Sequence, residues 1–348
     1  MREIELEHVV CALCGNPEGA PAESLEWKGA TLRYAVCPGC GLKYLCDRPT
    51  RAWYADFYRD EFWQSSRVKK RKVAFEPGKR PSSIAWDEGA ATAEGGPVAR
   101  PISGRVARQR QRAHRIWRIV GEHARLGRDA RVLEIGAGFG ETLALLHERT
   151  GCHGFAVEPS ATAASHITDT HGFPVVTATL EGLVDVAEME GSIDLAILSH
   201  VLENTIDPIE SLRIIRRMLR PGGRVYIDTC NLFYNNAINP YHPFIFSPET
   251  LRAILGCAGF ETQYTEHALH PTRVRVLRGE AGVDAVERAR YLAVVATPSD
   301  VEQTWAPVDP AHVMSAQRRG AKLLRRAKRL RRAFGWLGAT MRGRDATP

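Results

Sequence analysis

No apolar run among the 348 residues approaches the roughly 20 that a membrane-spanning helix needs. The opening residues, Met1 to Glu7, carry charge with no apolar stretch behind them, so nothing there reads as a secretory signal. The expectation is a cytoplasmic protein. Nor is positive charge spread through the chain. The formal net charge is +7, yet residues 318–348 hold eleven Lys or Arg against Asp345 alone, which leaves the first 317 residues at −3. Outside the tail, the basic body that grips nucleic acid is therefore missing. Two shorter basic stretches interrupt this, Arg67–Lys72 and the six arginines of Arg105–Arg118. Hydrophobic content of 44% is ordinary for a globular protein, and the length suits one large domain and a small one.

Cysteine is present at eight positions, and four of them form two Cys-x-x-Cys pairs, Cys11/Cys14 and Cys37/Cys40, with 22 residues between the pairs. This spacing reads as a tetrahedral zinc site. Gly15 and Gly41 follow the pairs and let backbone N–H groups turn toward the thiolates. Four thiolates leave no open coordination position, so the expected Zn2+ is structural. The stretch between the pairs, Glu23–Val36, reads as a hairpin. So small a module is expected to draw its stability from the metal. Cys46, Cys152, Cys230 and Cys257 are scattered and read as buried thiols.

Farther along, Arg131–Ile135 reads as a short buried strand. Gly136, Gly138 and Gly140 make a turn free of side chains, and Glu141–Arg149 reads as a helix. A strand, a glycine turn and a helix N-terminus make a nucleotide-type cradle. Glu158 stands 22 residues after Gly136, at the end of the next strand, Gly154–Val157. A carboxylate there can accept hydrogen bonds from both ribose hydroxyls of an adenosine.

The wording of this turn, Glu134-Ile-Gly136-Ala-Gly138-Phe-Gly140, resembles the first motif of class I S-adenosylmethionine (SAM) methyltransferases. The resemblance continues in order over roughly residues 105–298. Glu158 matches the ribose-binding acid, and Thr179–Glu181, with Leu180 at its centre, falls where the adenine-flanking loop lies. Ser192–His200 and Val201–Asn204 match the fourth strand and its loop, and Arg220–Asp228 the turn and fifth strand. The resemblance implies an α/β fold with a Rossmann-like, seven-stranded, mostly parallel sheet whose last strand inserts antiparallel beside the sixth. It implies SAM as cofactor, held by Glu134, Gly136, Gly138, Gly140, Glu158, Leu180 and His200.

The expected organisation is a zinc-binding knuckle over 1–48, an aromatic linker and flexible insertion over 49–104, a methyltransferase domain over 105–300 and a basic amphipathic tail over 301–348. The aromatic run Trp53–Trp63 reads either as a lid, with Tyr54 or Tyr58 facing cofactor or substrate, or as a clamp joining two modules. Ser65–Ser103 reads as the flexible insertion. Gly104–Arg125 reads as a helix packed on the sheet, with its arginines in solvent. Ser247 and Pro248 open a helix that runs to Cys257. In the tail, Leu323, Ala327, Leu330, Phe334 and Leu337 form an apolar stripe opposite a cationic face. Residues 318–337 read as a helix on an anionic membrane, as a nucleic-acid contact or as an unstructured basic tail.

Methyl transfer is an in-line displacement, so the protein must bind, align and exclude water. A base is needed only for a hydroxyl or carbon acid. The candidates are His242, in the aromatic-rich loop Asn239–Phe246, His200 at the end of the fourth strand, and Glu203, which can orient either. His242 reads equally as a loop-structuring residue, and His200 as a cofactor-side one. His200-Val-Leu-Glu-Asn204 resembles the His-Val-Leu-Glu-His loop of many small-molecule methyltransferases. In quinone-pathway O-methyltransferases a Glu-x-x-Glu-His arrangement is implied to bind a metal, and here His200 and Asn204 replace two of those ligands. The Asp/Asn-Pro-Pro-aromatic motif of base-amino methyltransferases is missing after the fourth strand.

The order of knuckle, aromatic linker, SAM domain and His-Pro-Phe loop is similar to zinc-bearing methyltransferases of bacterial sugar and polysaccharide pathways. Unlike the sugar C-methyltransferases, only about fifty residues remain after Thr297, too few for the further large domain those enzymes carry. The resemblance implies O- or C-methylation of a small-molecule, glycan or nucleotide-sugar acceptor. The rival readings are an RNA methyltransferase, with the knuckle and tail as its contacts, and a non-catalytic SAM-fold scaffold. The intact glycine turn and Glu158 speak against the scaffold.

Overall fold

The computed structural model describes residues 3–62, 102–124, 126–183, 189–234, 238–266, 286, 288–300 and 308–342, with side chains of the last helix described as far as Leu330. The insertion expected over Ser65–Ser103 falls almost wholly outside these residues.

The front of the chain folds into a small antiparallel sheet. Its strands are β1 (Leu6–His8), β2 (Ala20–Trp27), β3 (Ala30–Val36) and β4 (Lys43–Pro49), in the order β1-β4-β3-β2. The expected hairpin is β2–β3, closed by Lys28 and Gly29 at φ 48° and 83°. Positive φ at both centres is the two-residue turn whose twist matches the strands. Helix α1 (Arg51–Asp56) follows, with Thr50 accepting from Trp53 N–H, and Phe57–Glu61 continues it as a wider π-turn. The aromatic run packs inward. Trp53 stacks on Phe57 at 5.3 Å, and Trp27 of β2 meets both rings edge-on at 4.9 and 5.5 Å. The clamp reading describes this arrangement.

Behind it stands the large sheet. Helix α2 (Ile102–His123) leads to β5 (Arg131–Ile135), α3 (Glu141–Thr150), β6 (His153–Val157), α4 (Ala161–His171), β7 (Val175–Val176), β8 (Ile193–Ser199), α5 (Pro208–Met218) and β9 (Leu219–Cys230). After the short β10 (Phe244–Ile245) come α6 (Pro248–Cys257), β11 (Phe260–Glu266), β12 (Tyr291–Pro298) and α7 (Pro310–Arg342). The sheet order is β11-β12-β9-β8-β5-β6-β7, with β12 antiparallel between β9 and β11 and the other pairings parallel. This is the expected seven-stranded Rossmann-like sheet. Its central strands are covered on both faces, which is why β5 and β8 are nearly continuous apolar runs. The expected start of α6 is present as a reciprocal cap between Ser247 and Thr250.

Three expectations need correction. The first concerns the arginines of α2, which do not all face solvent. Arg115 turns in to pair with Asp228, a residue with no exposed surface, and its guanidinium lies 4.7 Å from the Tyr291 ring centre. A carboxylate buried on the central strand β9 requires such a countercharge. The second concerns the apolar stripe of the tail, which is not presented to a membrane over its described part. Helix α7 begins earlier than expected, and Val313, Ala316, Leu324 and Ala327 are buried against the aromatic cluster, with Leu323 and Leu330 packed alongside. The front sheet offered that stripe a dry surface first. No described helix is long and apolar enough to cross a membrane.

The third correction concerns the knuckle, which has a packed core beside its cysteines. Leu25, Leu32 and Leu45 are fully buried, and Cys11, Leu13, Cys37 and Cys40 share one core with Leu133, Leu202 and Phe246 of the large domain. Lys43, also fully buried, pairs with Glu23 at 2.5 Å and donates to Gln317 of α7 at 3.0 Å. The remaining thiols also differ from expectation, since Cys152 alone of the four is fully buried.

Candidate functional site

The glycine turn hangs from the end of β6, where Val157 O accepts from Gly136 N–H at 2.7 Å. All three glycines sit at positive φ, between 58° and 78°. Any side chain would collide: a Cβ on Gly136 would lie 2.6 Å from Val201, and one on Gly138 would lie 2.1 Å from the Gln109 amide. Gln109 reaches over from α2, and its Oε1 accepts from Phe139 N–H at 2.9 Å. Sequence reasoning did not find this residue, because a glutamine on a solvated helix face carries no signal of its own.

Glu158 closes the turn from the other side. Its carboxylate accepts from Gly138 N–H at 2.8 Å and from Ser160 N–H at 3.0 Å, and the residue is 3% exposed. Glu134 is equally buried. Burial pushes its pKa up to about 8, against hydrogen bonds from Thr142 and the Leu143 backbone, and its Oε2 has no partner among the described residues. Two buried carboxylates beside a side-chain-free turn suit a ligand that brings hydroxyls and an ammonium as donors. SAM brings both, so these residues fit it. Leu180 lies in a tight turn, Leu180–Gly182, buried with Val157 and Leu202. Its neighbour Glu181 accepts from Ile206 N–H at 3.0 Å, joining this loop to the one after β8.

The loop after β8 carries the other candidates. His200 holds φ 56°, a costly backbone state for a non-glycine residue. It is kept there by His200 N–H donating to Asp228 O and by Asn204 Nδ2 donating to His200 O, both at 2.8 Å. Its Nδ1 lies 2.9 Å from Glu203 Oε1. Burial alone would lower the His200 pKa, but hydrogen bonds to Cys230 and Glu203 and the charges of Glu203 and Asp228 reverse that, to about 10. Glu203 is pushed up by burial and pulled below its ordinary value by His200 and by the more distant His242. The pair is an imidazolium and a carboxylate at neutral pH. His200 can therefore donate to an acceptor oxygen but has no lone pair with which to take a proton.

His242 belongs to a loop gripped from outside. Three tyrosines of the front segment hold four consecutive carbonyls. Tyr34 OH lies 2.8 Å from Asn239 O and 2.6 Å from His242 O, Tyr54 OH donates to Pro240 O at 2.8 Å, and Tyr58 OH donates to Tyr241 O at 3.0 Å. Burial raises all three phenol pKa values, so they remain donors. The Tyr241 ring stacks on Phe57 at 5.0 Å, and β10 pairs with β4, placing Phe244 opposite Tyr44. Within the loop, Asn239 Oδ1 accepts from Tyr241 N–H at 3.0 Å, so its amide nitrogen is the atom that faces His242 Nε2, at 3.1 Å. That bond uses the Nε2 lone pair and favours the loop-structuring role.

The four cysteines come together as expected. The Sγ atoms of Cys11, Cys14, Cys37 and Cys40 all lie within 4.8 Å of one another, with the Cys11–Cys40 and Cys14–Cys37 pairs at 3.4 Å. Gly15 and Gly41 have φ 70° and 75°, and backbone N–H groups of Leu13, Cys14, Gly39 and Leu42 point at the sulfurs. Hydrogen bonding from Cys40 lowers the Cys11 pKa to about 5, while burial pushes Cys37 up to about 12. Four sulfurs converging on one point fit a tetrahedral Zn2+.

Residues 106–265 match the family model described as a methyltransferase domain. Over 191 residues the chain is 26% identical to a "Probable S-adenosylmethionine-dependent methyltransferase" of Mycolicibacterium smegmatis, covering 53% of this chain and 72% of that one. It is 30% identical over 105 residues to a ubiquinone biosynthesis O-methyltransferase of Xanthomonas oryzae pv. oryzae, covering 29% of this chain and 44% of that one. Among solved structures, the Burkholderia thailandensis 1,6-didemethyltoxoflavin-N1-methyltransferase superposes with a TM-score of 0.47 at 18% identity, covering 80% of this chain and all of that one. The chain carries a SAM-dependent methyltransferase domain.

Proposed function

We propose that the protein transfers a methyl group from SAM to an oxygen or carbon of a small-molecule, glycan or nucleotide-sugar acceptor bound between the loop after β8 and the Asn239–Phe246 loop. The observation that carries this reading is the meeting of three separate chain segments at the C-terminal ends of β8 and β9. Open α/β sheets bind ligands at that edge.

Glu134, Glu158 and the turn of Gly136, Gly138 and Gly140 would hold SAM, which supplies an already activated methyl group. The chain's own residues then have to place the acceptor and keep water out. His200, held charged by Glu203, binds an acceptor oxygen and orients it. His242 keeps its loop in shape through Asn239. No described side chain of this trio is a ready base at neutral pH, which favours acceptors that arrive ionised or acidic. The tyrosines and rings of the front segment form the outer wall. Four structural thiolates with Zn2+ stiffen that segment and take no part in the chemistry.

Titration of the protein with S-adenosylhomocysteine tests the cofactor half, with binding expected in the micromolar range. Incubation with methyl-labelled SAM and panels of phenolic, glycan and nucleotide-sugar acceptors tests the other half. Label transfer to RNA with none to small acceptors would overturn the reading.

A further inference from the structure

Beside the glycine turn lies a second cluster of metal-ligating side chains that the methyl-transfer reading leaves unused. Glu141 opens α3, while His166 and His171 sit on α4. One ligand atom from each lies within 4.8 Å of the other two. The side chains of Glu141 and His171 are 9% and 15% exposed, and Glu141 Oε1 stands 3.4 Å from His171 Nε2. The Nε2 atoms of His166 and His171 are both buried, and neither makes a hydrogen bond among the described residues. Packing sets the rings in place. The Phe139 edge meets His166 at 5.2 Å, and the missing side chain at Gly140 makes room for His171, whose Cδ2 lies 3.3 Å from where a Cβ would stand.

We propose that Glu141, His166 and His171 form a divalent transition-metal site distinct from the four cysteines. Two imidazole nitrogens and a carboxylate form a donor set that suits Zn2+, Co2+, Ni2+ or Cu2+ and disfavours Mg2+ and Ca2+, which prefer oxygen alone. Ligands of a tetrahedral ion with bonds of about 2.0–2.1 Å stand roughly 3.4 Å apart. The Glu141–His171 pair already has that separation, and small ring rotations bring His166 to it. The positive end of α3 opposes a cation here, and the Glu141 carboxylate offsets it. Three protein ligands leave at least one position for water. A bound ion would tie the first turn of α3 to α4 across Gly140, fastening the back of the cofactor cradle. The cluster of His8, Cys46 and Asp47 is a weaker candidate, because His8 is 64% exposed and Asp47 already holds Arg33.

The test uses the full chain with Zn2+ in its four-cysteine site, titrated with Co2+ alone. Bound metal is counted by dialysis and elemental analysis while visible absorption is followed. One further equivalent is expected, without the intense thiolate-to-metal bands of a cysteine site. Glu141→Gln, His166→Gln and His171→Asn should each weaken that equivalent at least tenfold and leave the cysteine-bound equivalent in place. Cys37→Ser should do the converse. A wild-type protein that takes up no second equivalent, or one whose uptake ignores all three substitutions, overturns the proposal. Electron paramagnetic resonance of the wild-type protein with one added equivalent of Cu2+ covers the case of a variant that does not fold. Coupling to two nitrogens supports the site, and its absence overturns it.

Discussion

The two halves of the proposed site are built in opposite ways. The proposed cofactor half comes from neighbours in sequence: Glu134, the three glycines and Glu158 span 25 residues and are set by one strand, one turn and the next strand. The proposed acceptor half comes from remote segments. Tyr34, Tyr54 and Tyr58 reach across some 180 to 210 positions to hold the carbonyls of residues 239–242. Arg115 crosses from α2 to Asp228 on β9. The cradle shares core with the front segment through Leu133, yet its own hydrogen bonds are local, whereas those of the wall are not.

Substitutions that separate the halves put this contrast to the test. The largest effect is expected from Cys37→Ser. It should release the metal and lower the unfolding free energy by more than about 3 kcal/mol, since loss of a metal site belongs to the severe class. Acceptor turnover should fall with it, while affinity for S-adenosylhomocysteine stays near wild type. Equal loss of both would mean that the halves are one unit. Glu158→Ala should do the reverse, weakening S-adenosylhomocysteine binding by about 1.5–3 kcal/mol with the metal retained. Calorimetry and metal analysis on the same sample read both.

A milder probe is Tyr34→Phe, which removes the hydroxyl shared by Asn239 O and His242 O. We expect about 1 kcal/mol of lost stability and a raised acceptor KM with the cofactor KM unchanged. The smallest effect is a matter of pH. His200 is raised in the folded state to about 10 from an ordinary 6.5. Its stabilisation is full below the unfolded value and is lost as pH climbs through the folded one. The lowered Glu203 sets the acid limit, below which the pair is lost again. Denaturant unfolding of wild type and His200→Gln should therefore differ more near pH 6 than near pH 10. A gap that does not change with pH would remove the charge from the pair.

What was legible in the sequence follows the same division. Motifs that act through adjacent backbone, such as the glycine turn, Glu158, the paired cysteines and the Ser247 cap, could be read because neighbours in sequence are neighbours in space. Arg115 was misread for the opposite reason. Its helical position looks solvated until Asp228, more than a hundred residues later, is seen to be buried beneath it. Over its described part, the tail stripe is a true apolar face that protein covers. Periodicity shows that Leu323, Ala327 and Leu330 must be covered, and says nothing about whether lipid or protein covers them. Tyr54 and Tyr58 sat inside an aromatic run that was read as lid or clamp, Tyr34 sat in the hairpin, and only the position of the loop carbonyls shows what the three hold.

The pairing of β10 with β4 also bears on how the chain comes to be folded during synthesis. Along one edge of β4, β1 covers Asp47 to Pro49, while Lys43 and Tyr44 wait for Ile245 and Phe244. The front sheet can form its hairpin as soon as it leaves the ribosome, yet part of its edge stays unpaired until some two hundred further residues have been made. An unpaired strand edge invites association with other chains. The sheet that anchors the Asn239–Phe246 loop is thus among the first parts of the molecule to appear and among the last to be completed.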